Sequence, residues 1–503
     1  MHPVIAAIGR YAAAHPRRTA LTDGAREISY STLNRAIAEA GAAMRTRTSK
    51  PVALCLDNAP EWIIADLALL ATRLPCVPLP LFFSSEQQAH AVADSGAEYL
   101  ITDAPEHCIE RLRSAGLPAV REDDLRLAGS RLACICIGTK PTAALPRGTV
   151  KITYTSGTTG NPKGVCLGGD ALARVARSLD SACELGKDDR HLSLLPLATL
   201  LENVGVYASL CAGACCALPP LEETGITGAP GTRAAALLDA MARYRATTAI
   251  MVPQMLQVVV ERLERDAQVP PGLRFLAVGG AVVAPTLLAR AATLRLPVFE
   301  GYGLSECASV VSLNTPHASR RGSAGRPLPH CTLTFGSDGE IFAAGTTLLG
   351  YHGAPAPAGD AWPTGDIGHL DDDGFLHITG RKKDCFISSN GRNVSPEWVE
   401  AALTLEPAIA QAWVSGEARP WVAAVITPAP SLPDAAVSAA VVRANRALPD
   451  YAQVRSWAPS VEPFSIARGE LTANGRLRRT ALAARYQAAI DNLYQEETHA
   501  LSR

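Results

Sequence analysis

The spacing of apolar and polar residues predicts alternating helices and strands from the N-terminus to about residue 335. Apolar residues at helical spacing indicate helices at 4–14, 31–45, 61–71, 233–244 and 254–266. Short apolar runs indicate strands at 51–57, 76–79, 99–101, 192–195, 249–252 and 275–278. Ser31 is expected to cap the second helix. Because strands alternate with helices, we expect an α/β region built on mainly parallel sheets.

Beyond residue 335, Gly, Asp and Pro become more frequent and the predicted elements change. Strands at 340–344 and 375–378 indicate a twisted or barrel-like sheet. Further elements follow: a helix that starts at Pro396 after Ser395, strands near 409–414 and 421–427, and helices near 434–446 and 477–491. We therefore predict a domain boundary at 380–384. It separates an N-terminal domain at 1–380, with its barrel-like part at about 335–380, from a smaller α+β domain at 385–503.

The segment from Tyr154 to Gly164, YTSGTTGNPKG, has the composition of a phosphate-binding loop. Glycines let backbone N–H groups approach a polyphosphate, hydroxyls donate hydrogen bonds, and the Lys163 ammonium offsets negative charge. The loop lacks the Walker pattern, because Lys163 is followed by Gly164 instead of Ser or Thr. The candidate phosphate-binding residues are Thr155, Ser156, Gly157, Thr158, Thr159, Gly160 and Lys163. A Ser/Thr/Gly-rich surface loop is the structural alternative.

Four further segments are candidates for a binding site. G-Y-G-L-S-E at 301–306 comes after an apolar strand at 297–299, and G-G-A at 279–281 ends another apolar strand, where open α/β sheets present ligand sites. T-G-D at 364–366 and the run GRKKDCFISSNGRNVSPE at 380–397 lie near the predicted domain boundary. Taken singly, these segments could equally be a turn around a core tyrosine, a strand-to-helix turn, an Asp-Gly turn and an exposed basic turn.

These segments, in this order, resemble the adenylate-forming superfamily, which contains acyl- and aryl-CoA synthetases, luciferases and the adenylation domains of peptide synthetases. The resemblance covers nearly the whole chain after about residue 20, and the 380–397 run is most similar to that of long-chain acyl-CoA synthetases. It implies an AMP-binding domain at 1–380 and a hinge at 381–384 on which a C-terminal lid domain moves. The implied cofactors are ATP and Mg²⁺.

The resemblance also implies roles for single residues around the nucleotide. Tyr302 would stack on adenine and Ser305 would touch the α-phosphate. Glu306 would hold Mg²⁺, with Thr155 as a second metal candidate, because hard Mg²⁺ prefers oxygen ligands. The Asp366 carboxylate would accept hydrogen bonds from the ribose hydroxyls.

Arg381 would contact the ribose and phosphates, and Lys383 would be the pivot of the hinge. The glycine-rich turns add the nucleotide candidates Gly279, Gly280, Ala281, Gly301 and Gly303. Gly280, Gly303 and Thr199 are also expected to line the acid pocket. The implied catalytic residues are Lys163, Glu306, Lys383 and Arg476.

Two of these positions depart from the pattern of the superfamily. Arg476 stands where related enzymes carry a lysine that bridges the substrate carboxylate and the phosphate. Arginine keeps the charge but presents a larger, planar group, so altered or slower adenylation is possible. Thr199 stands where related synthetases usually have histidine beside the acyl pocket, which implies a reshaped pocket.

Composition limits the classes of function. A chain of 503 residues is expected to form two or more domains, and a net charge of −1 gives no reason to expect nucleic acid as a partner. The thirteen cysteines show no metal-ligand spacing and suit a reducing, cytoplasmic environment. Because no apolar run approaches the ~20 residues of a membrane span, we expect a soluble protein without a transmembrane segment.

The expected activity is a ligase with two half-reactions. ATP adenylates a carboxylic acid, and the acyl group then passes to the thiol of CoA or of the phosphopantetheine of an acyl carrier protein. A fatty acyl substrate is favoured, and a hydroxybenzoate-like aromatic acid is the alternative. A second alternative is a nucleotide-binding homologue without ligase activity. The basic residues Arg476, Arg478 and Arg479 are candidates for docking an acidic carrier protein.

Overall fold

The computed structural model describes residues 1–139, 143–155, 162–225, 234–265, 268–281, 283–355, 357, 359–389, 392–429, 432–465, 467–471 and 477–500. The helices within these residues are α1 (Pro3–Ala14), α2 (Tyr30–Arg47), α3 (Pro60–Thr72), α4 (Ser85–Ser95), α5 (Pro105–Ser114), α6 (Gly169–Ala182), α7 (Leu200–Cys211), α8 (Ala234–Arg243), α9 (Pro253–Arg265), α10 (Pro285–Thr293), α11 (Pro396–Thr404), α12 (Asp434–Asn445) and α13 (Arg479–Ala500). None of these helices combines the length and the apolar character needed to cross a membrane.

The described strands are numbered in chain order and given as two series, one before and one after residue 320. The first series is β1 (Thr19–Thr22), β2 (Glu27–Ser29), β3 (Val52–Cys55), β4 (Cys76–Pro78), β5 (Tyr99–Thr102), β6 (Ala119–Arg121), β7 (Leu125–Leu127), β8 (Ser130–Ile137), β9 (Thr149–Thr155), β10 (Lys163–Gly168), β11 (Arg190–Leu192), β12 (Cys215–Ala217), β13 (Thr248–Met251), β14 (Phe275–Val278), β15 (Val298–Leu304) and β16 (Ser309–Leu313). The second series is β17 (Arg326–Pro327), β18 (Thr332–Phe335), β19 (Glu340–Ala344), β20 (Gly350–Tyr351), β21 (Ala361–Leu370), β22 (Leu376–Arg381), β23 (Phe386–Ile387), β24 (Asn393–Val394), β25 (Ile409–Ser415), β26 (Val422–Pro428) and β27 (Val454–Pro459).

Two large sheets carry the N-terminal region. One has the strand order β17-β16-β15-β14-β13-β11-β12-β1-β2, with parallel pairing from β15 through β1. The other has the order β20-β10-β9-β4-β3-β5-β8-β6, with β7 also paired to β8, and its centre from β9 to β5 is parallel. Helices α6 and α7 contact strands of the first sheet and strands or side chains of the second. The predicted α/β fold with parallel sheets is confirmed.

The smaller sheets follow the change predicted at residue 335. Strands β18, β19, β21 and β22 form a four-stranded antiparallel sheet, which is the predicted barrel-like part. Strands β25, β26 and β27 form a three-stranded sheet that contacts α11 and α13 and buries apolar cores of its own. This is the α+β arrangement expected for the C-terminal region. The boundary at 380–384 itself stays a prediction.

Three local expectations were wrong. The second helix starts at Tyr30 and is capped by Ser29, whose hydroxyl accepts a hydrogen bond from the Thr32 N–H at 3.2 Å, so exposed Ser31 is not the cap. Strand β11 ends at Leu192, so residues 193–195 are not strand. The strand expected at 297–299 continues to Leu304 beside antiparallel β16, so G-Y-G-L lies inside β15 and does not follow it.

A charged network is buried where α3, α7 and β9 meet. The Lys151 ammonium donates to Asp66 Oδ1 at 2.8 Å, to the Asn203 carbonyl oxygen at 2.5 Å and to the Tyr207 hydroxyl at 3.2 Å. Asp66 Oδ2 accepts in turn from Asn203 Nδ2 at 2.9 Å and from the Tyr207 hydroxyl at 2.6 Å. Lys151 is 1% exposed and Asp66 is fully buried. The ammonium and the carboxylate are therefore both buried and both hydrogen-bonded, as a stable buried ion pair requires.

We expect Lys151→Met to lower the free energy of unfolding by about 3–5 kcal/mol, because the variant leaves the Asp66 carboxylate buried without its cation. Equilibrium urea unfolding followed by tryptophan fluorescence measures this, since the Trp62 ring lies 5.9 Å from the Lys151 ammonium. The matched control is Lys50→Met, which removes a 58% exposed lysine from its pair with Glu98 and should cost no more than about 1 kcal/mol. Equal losses in the two variants would contradict the prediction.

Candidate functional site

The predicted phosphate loop connects two paired strands, β9 and β10. Thr155 pairs with Lys163 and Tyr154 with Gly164, so the two ends of the loop lie side by side. The Tyr154 hydroxyl donates to Asp94 Oδ2 of α4 at 2.6 Å, which fixes this end of the hairpin. Five of the predicted phosphate-binding residues lie outside the described residues: Ser156, Gly157, Thr158, Thr159 and Gly160. Thr155 and the exposed Lys163 are described.

A tyrosine that the sequence did not single out joins two predicted site residues. The Lys163 ammonium lies 5.5 Å from the centre of the Tyr351 ring, and the Tyr351 hydroxyl donates to Glu306 Oε1 at 2.7 Å. Burial, and then the Glu306 carboxylate, raise the pKa of the Tyr351 hydroxyl, which keeps it protonated as a donor. Strand β20 brings Tyr351 there by pairing it with Val165 of β10.

The Glu306 carboxylate could supply one oxygen ligand to a magnesium ion that is also held by a nucleotide. The described residues contain no group of three His, Cys, Asp or Glu side chains that could bind a metal alone. Mg²⁺ is usually bound by one or two carboxylates with phosphate oxygens and water. Glu306, the middle residue of a short 3₁₀ turn at Ser305–Cys307, offers one such carboxylate, and Ser305 is its neighbour.

Close backbone approach explains the glycines at the ends of β14 and β15. A Cβ atom on Gly303 would lie 1.7 Å from the Ser309 carbonyl oxygen, and one on Gly279 would lie 3.0 Å from the Gly301 carbonyl oxygen. Gly280 has a φ of +82°, a region that favours glycine. The turn at 279–281 therefore lies directly against the strand that carries Tyr302.

Asp366 brings two sequence motifs and the predicted hinge together. The Tyr302 hydroxyl donates to Asp366 Oδ2 at 2.6 Å, and Arg381 Nε donates to Asp366 Oδ1 at 2.7 Å. Antiparallel pairing of β21 with β22 places Asp366 opposite Arg381. Burial raises the pKa of the Tyr302 hydroxyl, and the nearby carboxylate raises it further. The predicted adenine, ribose and phosphate contacts thus share one hydrogen-bonded group.

A further carboxyl group lies on β15, the strand that carries Tyr302. Glu300 precedes the G-Y-G motif, and its Oε2 atom is buried without a hydrogen-bond partner among the described residues. Burial raises the pKa of the Glu300 carboxyl to about 8. The sequence interpretation did not include Glu300, although its place next to Gly301 was a signal.

The start of the predicted hinge is fixed to the four-stranded sheet. The Lys382 ammonium lies 2.7 Å from Asp338 Oδ2 and 2.6 Å from Glu340 Oε2, and both carboxylates raise the pKa of Lys382. The preceding residue, Arg381, is held by its ion pair with Asp366. Lys383, the predicted pivot, is the first basic residue after these two anchors.

The predicted catalytic Arg476 lies outside the described residues. Its loop is bracketed by an isolated β-bridge between Leu471 and Leu477. The guanidinium of Arg479, one of three candidates for docking an acidic carrier protein, donates to both oxygens of the buried Glu400 carboxylate at 2.8 and 2.6 Å. Arg479 therefore stabilises the C-terminal core, whereas Arg478 is exposed.

Thr199, predicted to border the acid pocket, occupies the N-cap position of α7. Its hydroxyl donates to the Pro196 carbonyl oxygen at 2.7 Å and makes no capping bond to the helix. The side chain therefore closes the preceding turn, residues 196–199.

Comparison with known proteins identifies the family of the chain. The model of the AMP-binding enzyme family matches residues 8–347, and that of the AMP-binding enzyme C-terminal domain matches residues 383–498. The chain belongs to the AMP-binding enzyme family. The inferred resemblance to the adenylate-forming superfamily and the expected AMP-forming acid–thiol ligase are confirmed.

Curated members of this family resemble the chain over most of its length. The long-chain-fatty-acid–CoA ligase of Mycobacterium bovis is 28% identical over 87% of this chain and 86% of its own. The 2-succinylbenzoate–CoA ligase of Bacillus velezensis is 32% identical over 73% of this chain and 75% of its own.

Solved structures share the fold of this AMP-binding enzyme. An anthranilate CoA ligase in complex with anthranoyl-AMP has a TM-score of 0.80 at 20% identity and covers 97% of this chain and 98% of its own. The O-succinylbenzoate CoA synthetase of Bacillus subtilis in complex with ATP and magnesium has a TM-score of 0.75 at 24% identity and covers 94% of this chain and 98% of its own.

Glu300 gives the AMP-binding enzyme a predictable pH dependence. Its folded pKa of about 8 lies above the ordinary 4.5, so the folded state binds more protons than the unfolded state between these values. Stability is therefore expected to fall as pH rises from 5 to 8, by at most about 1.4 kcal/mol per pH unit. Glu300→Gln keeps the shape of the protonated carboxyl but does not titrate. The variant should therefore lack this part of the pH dependence of stability.

Urea unfolding of the parent, Glu300→Gln and the exposed control Glu110→Gln at several pH values tests the prediction. The parent and the Glu110→Gln variant should lose stability in parallel, relative to Glu300→Gln, as pH rises. Identical pH profiles for all three proteins would show that Glu300 titrates normally.

Proposed function

We propose that this enzyme adenylates a carboxylic acid with ATP and passes the acyl group to the thiol of CoA or of an acyl carrier protein's phosphopantetheine, with a fatty acid as the favoured substrate. The observation that carries the proposal is the contact of Tyr302 and Arg381 with the Asp366 carboxylate. Residues inferred to contact adenine, ribose and phosphate come from three separate motifs, and one buried carboxylate joins them. A cytoplasmic location is part of the proposal.

In the first half-reaction, a carboxylate oxygen of the acid attacks the α-phosphorus of ATP, and the bond to the departing pyrophosphate breaks. Both reactants are anions, so cationic groups must offset their repulsion. Lys163 and the phosphate loop would hold the β- and γ-phosphates, and Arg476 would act between the carboxylate and the α-phosphate. Mg²⁺ beside Glu306 would supply further positive charge to the phosphate oxygens.

In the second half-reaction, the acceptor thiolate attacks the acyl carbon and AMP departs. The cationic Arg476 loop must then give way to the thiol, which a rotation of the C-terminal region about Lys383 would achieve. Arg381 and Lys382 support this proposal, because their ion pairs would hold the start of the hinge on the N-terminal side.

The identity of the acid rests on weaker signals than the adenylation chemistry. The 380–397 run and the long-chain-fatty-acid–CoA ligase relative, which matches 87% of this chain, favour a fatty acid. The 2-succinylbenzoate–CoA ligase relative supports the aromatic alternative. Thr199 in place of the usual histidine is consistent with a pocket different from those of both groups.

We expect purified enzyme with ATP and Mg²⁺ to release pyrophosphate in the presence of a fatty acid. The panel should contain fatty acids of graded chain length, hydroxybenzoates, 2-succinylbenzoate and no acid. Parallel reactions should contain CoA or a holo carrier protein, and mass spectrometry should identify the thioester. An aromatic thioester without a fatty acyl product would establish the alternative. No pyrophosphate release above the acid-free control with any acid would refute the proposal.

Arg476→Ala should lower the rate of acyl-adenylate formation by about 10²–10³-fold, because one cation that stabilises the transition state is lost. Conversion of added acyl-adenylate and CoA to thioester should change little, since Arg476 is proposed to act only in the first half-reaction. Pyrophosphate release and thioester formation measure the two steps separately. Arg478→Ala, at an exposed position in the same segment, is the control.

Arg476→Lys separates an active variant from a decayed homologue. The parent should be active, and Arg476→Lys should retain adenylation. An inactive parent that gains activity as Arg476→Lys would instead identify the chain as a nucleotide-binding homologue that has lost its ligase activity.

A further inference from the structure

The segment from Ser193 to Thr199, here called the acid segment, links β11 to α7 and carries the position expected to border the acid. Side chains from two elements bind its backbone. Asn58 Nδ2 donates to the Leu195 carbonyl oxygen at 2.9 Å, and the Leu197 N–H donates to Asn58 Oδ1 at 2.8 Å. The Leu195 N–H donates to Glu202 Oε2 at 3.2 Å. Two side chains thus hold the middle of the acid segment.

Asn58 reaches the acid segment from the other large sheet. It follows β3 and is 3% exposed. The neighbouring Asp57 carboxylate accepts hydrogen bonds from the Asn58 N–H at 2.7 Å and from the Leu221 N–H at 3.3 Å. Residues 57–58 therefore bind the backbone of two segments of the first sheet's region: the acid segment after β11, and residue 221 after β12. The position of the acid segment depends on how the two sheets pack together.

Glu202, the second anchor, is fixed by contacts that do not involve Asn58. Its Oε1 atom lies 3.0 Å from His191 Nε2, and His191 Nδ1 lies 3.1 Å from the Thr248 hydroxyl. His191 and Glu202 are both buried. A change at Asn58 therefore leaves the second anchor in place, so it should shift the acid segment and leave the helix that follows it folded.

We propose that Asn58 is a positioning residue for the acid substrate: its carboxamide sets the position of the acid segment, and with it the fit of the acid. The proposal rests on the proposed ligase function. The carboxamide suits this role because it offers one donor and one acceptor in one plane, which match the Leu195 carbonyl and the Leu197 N–H. Aspartate has the same shape but no donor when ionised, and it would place a negative charge against the Leu195 carbonyl.

Asn58→Asp should raise the KM for the preferred acid about tenfold and change the order of preference among acids, because a buried carbonyl loses its partner. The KM for ATP should stay within about twofold, since neither atom of the carboxamide contacts the predicted nucleotide residues. A purely structural role would lower the amount of active enzyme without separating the two KM values.

The matched control is Asn445→Asp. Asn445 makes the same two-point contact in the C-terminal region, with its Nδ2 donating to the Val454 carbonyl oxygen at 2.8 Å and the Val454 N–H donating to its Oδ1 at 2.9 Å. It therefore suffers the same chemical change far along the chain from the acid segment. Its KM for the acid should stay within about twofold of the parent.

Hydrogen exchange measured by mass spectrometry tests the contact without relying on activity. Peptides that cover 193–199 should exchange faster in Asn58→Asp than in the parent, whereas peptides from the second half of α7 should not. Unchanged exchange at 193–199 would overturn the proposal even if no substrate acid were found. If the parent is active, faster exchange in Asn58→Asp together with an unchanged KM for the acid would also overturn the proposal. A parent that is inactive on every acid would refute the proposed function, but it would not refute the role of Asn58 in positioning the segment.

Discussion

The ammonium of Lys151 imposes the constraint on which the N-terminal region depends. A charge that is removed from water must keep its partners, so Asp66, Asn203 and Tyr207 have to stay within hydrogen-bond distance of it. These partners lie on α3 and α7, and Lys151 lies on β9, which runs into the predicted phosphate loop. The strand that carries the phosphate loop and the helix that follows the acid segment are therefore fixed by one network. Asn58, which follows β3 of one large sheet, adds a polar connection to the acid segment that follows β11 of the other.

The candidate nucleotide site depends on backbone contacts that exclude side chains. Gly279, Gly301 and Gly303 allow β14, β15 and β16 to approach more closely than alanine would permit. Tyr302 lies between two of these glycines, and its hydroxyl meets Asp366 of the four-stranded sheet. The contact thus joins the large parallel sheet to the small antiparallel sheet at the place where the family motifs converge. Rigid strands position these groups more accurately than loops would, which suits a site that must hold reacting anions in line.

Within the described residues, hydrophobic spacing predicted most of the helices but fewer than half of the strands, because many of the strands have only two or three residues. This spacing failed to predict structure that depends on pairing or contact with a distant segment of the chain. G-Y-G was expected to follow a strand at 297–299, yet β16 pairs with that segment and extends β15 through it. Motif order predicted Tyr302, Asp366 and Arg381, which meet. Nothing local indicated the lysine network, since Asp66 is 85 residues from Lys151 in the sequence, or the bridge that Tyr351 makes to Glu306.

The residues at the start of the predicted hinge are held by ion pairs, whereas the contact between Gly380 and Ser395 next to them includes no hydrogen bond of the Ser395 hydroxyl. Arg381 and Lys382 are bound to carboxylates on or beside the four-stranded sheet, so the proposed rotation of the C-terminal region would begin after Lys382. The start of α11 packs against this anchor, because a Cβ atom on Gly380 would lie 2.3 Å from the Ser395 hydroxyl oxygen. That hydroxyl is buried without a hydrogen-bond partner among the described residues. Separating Ser395 from Gly380 would therefore break no hydrogen bond of that hydroxyl and would expose it to water, which favours movement at this contact over movement at the ion pairs.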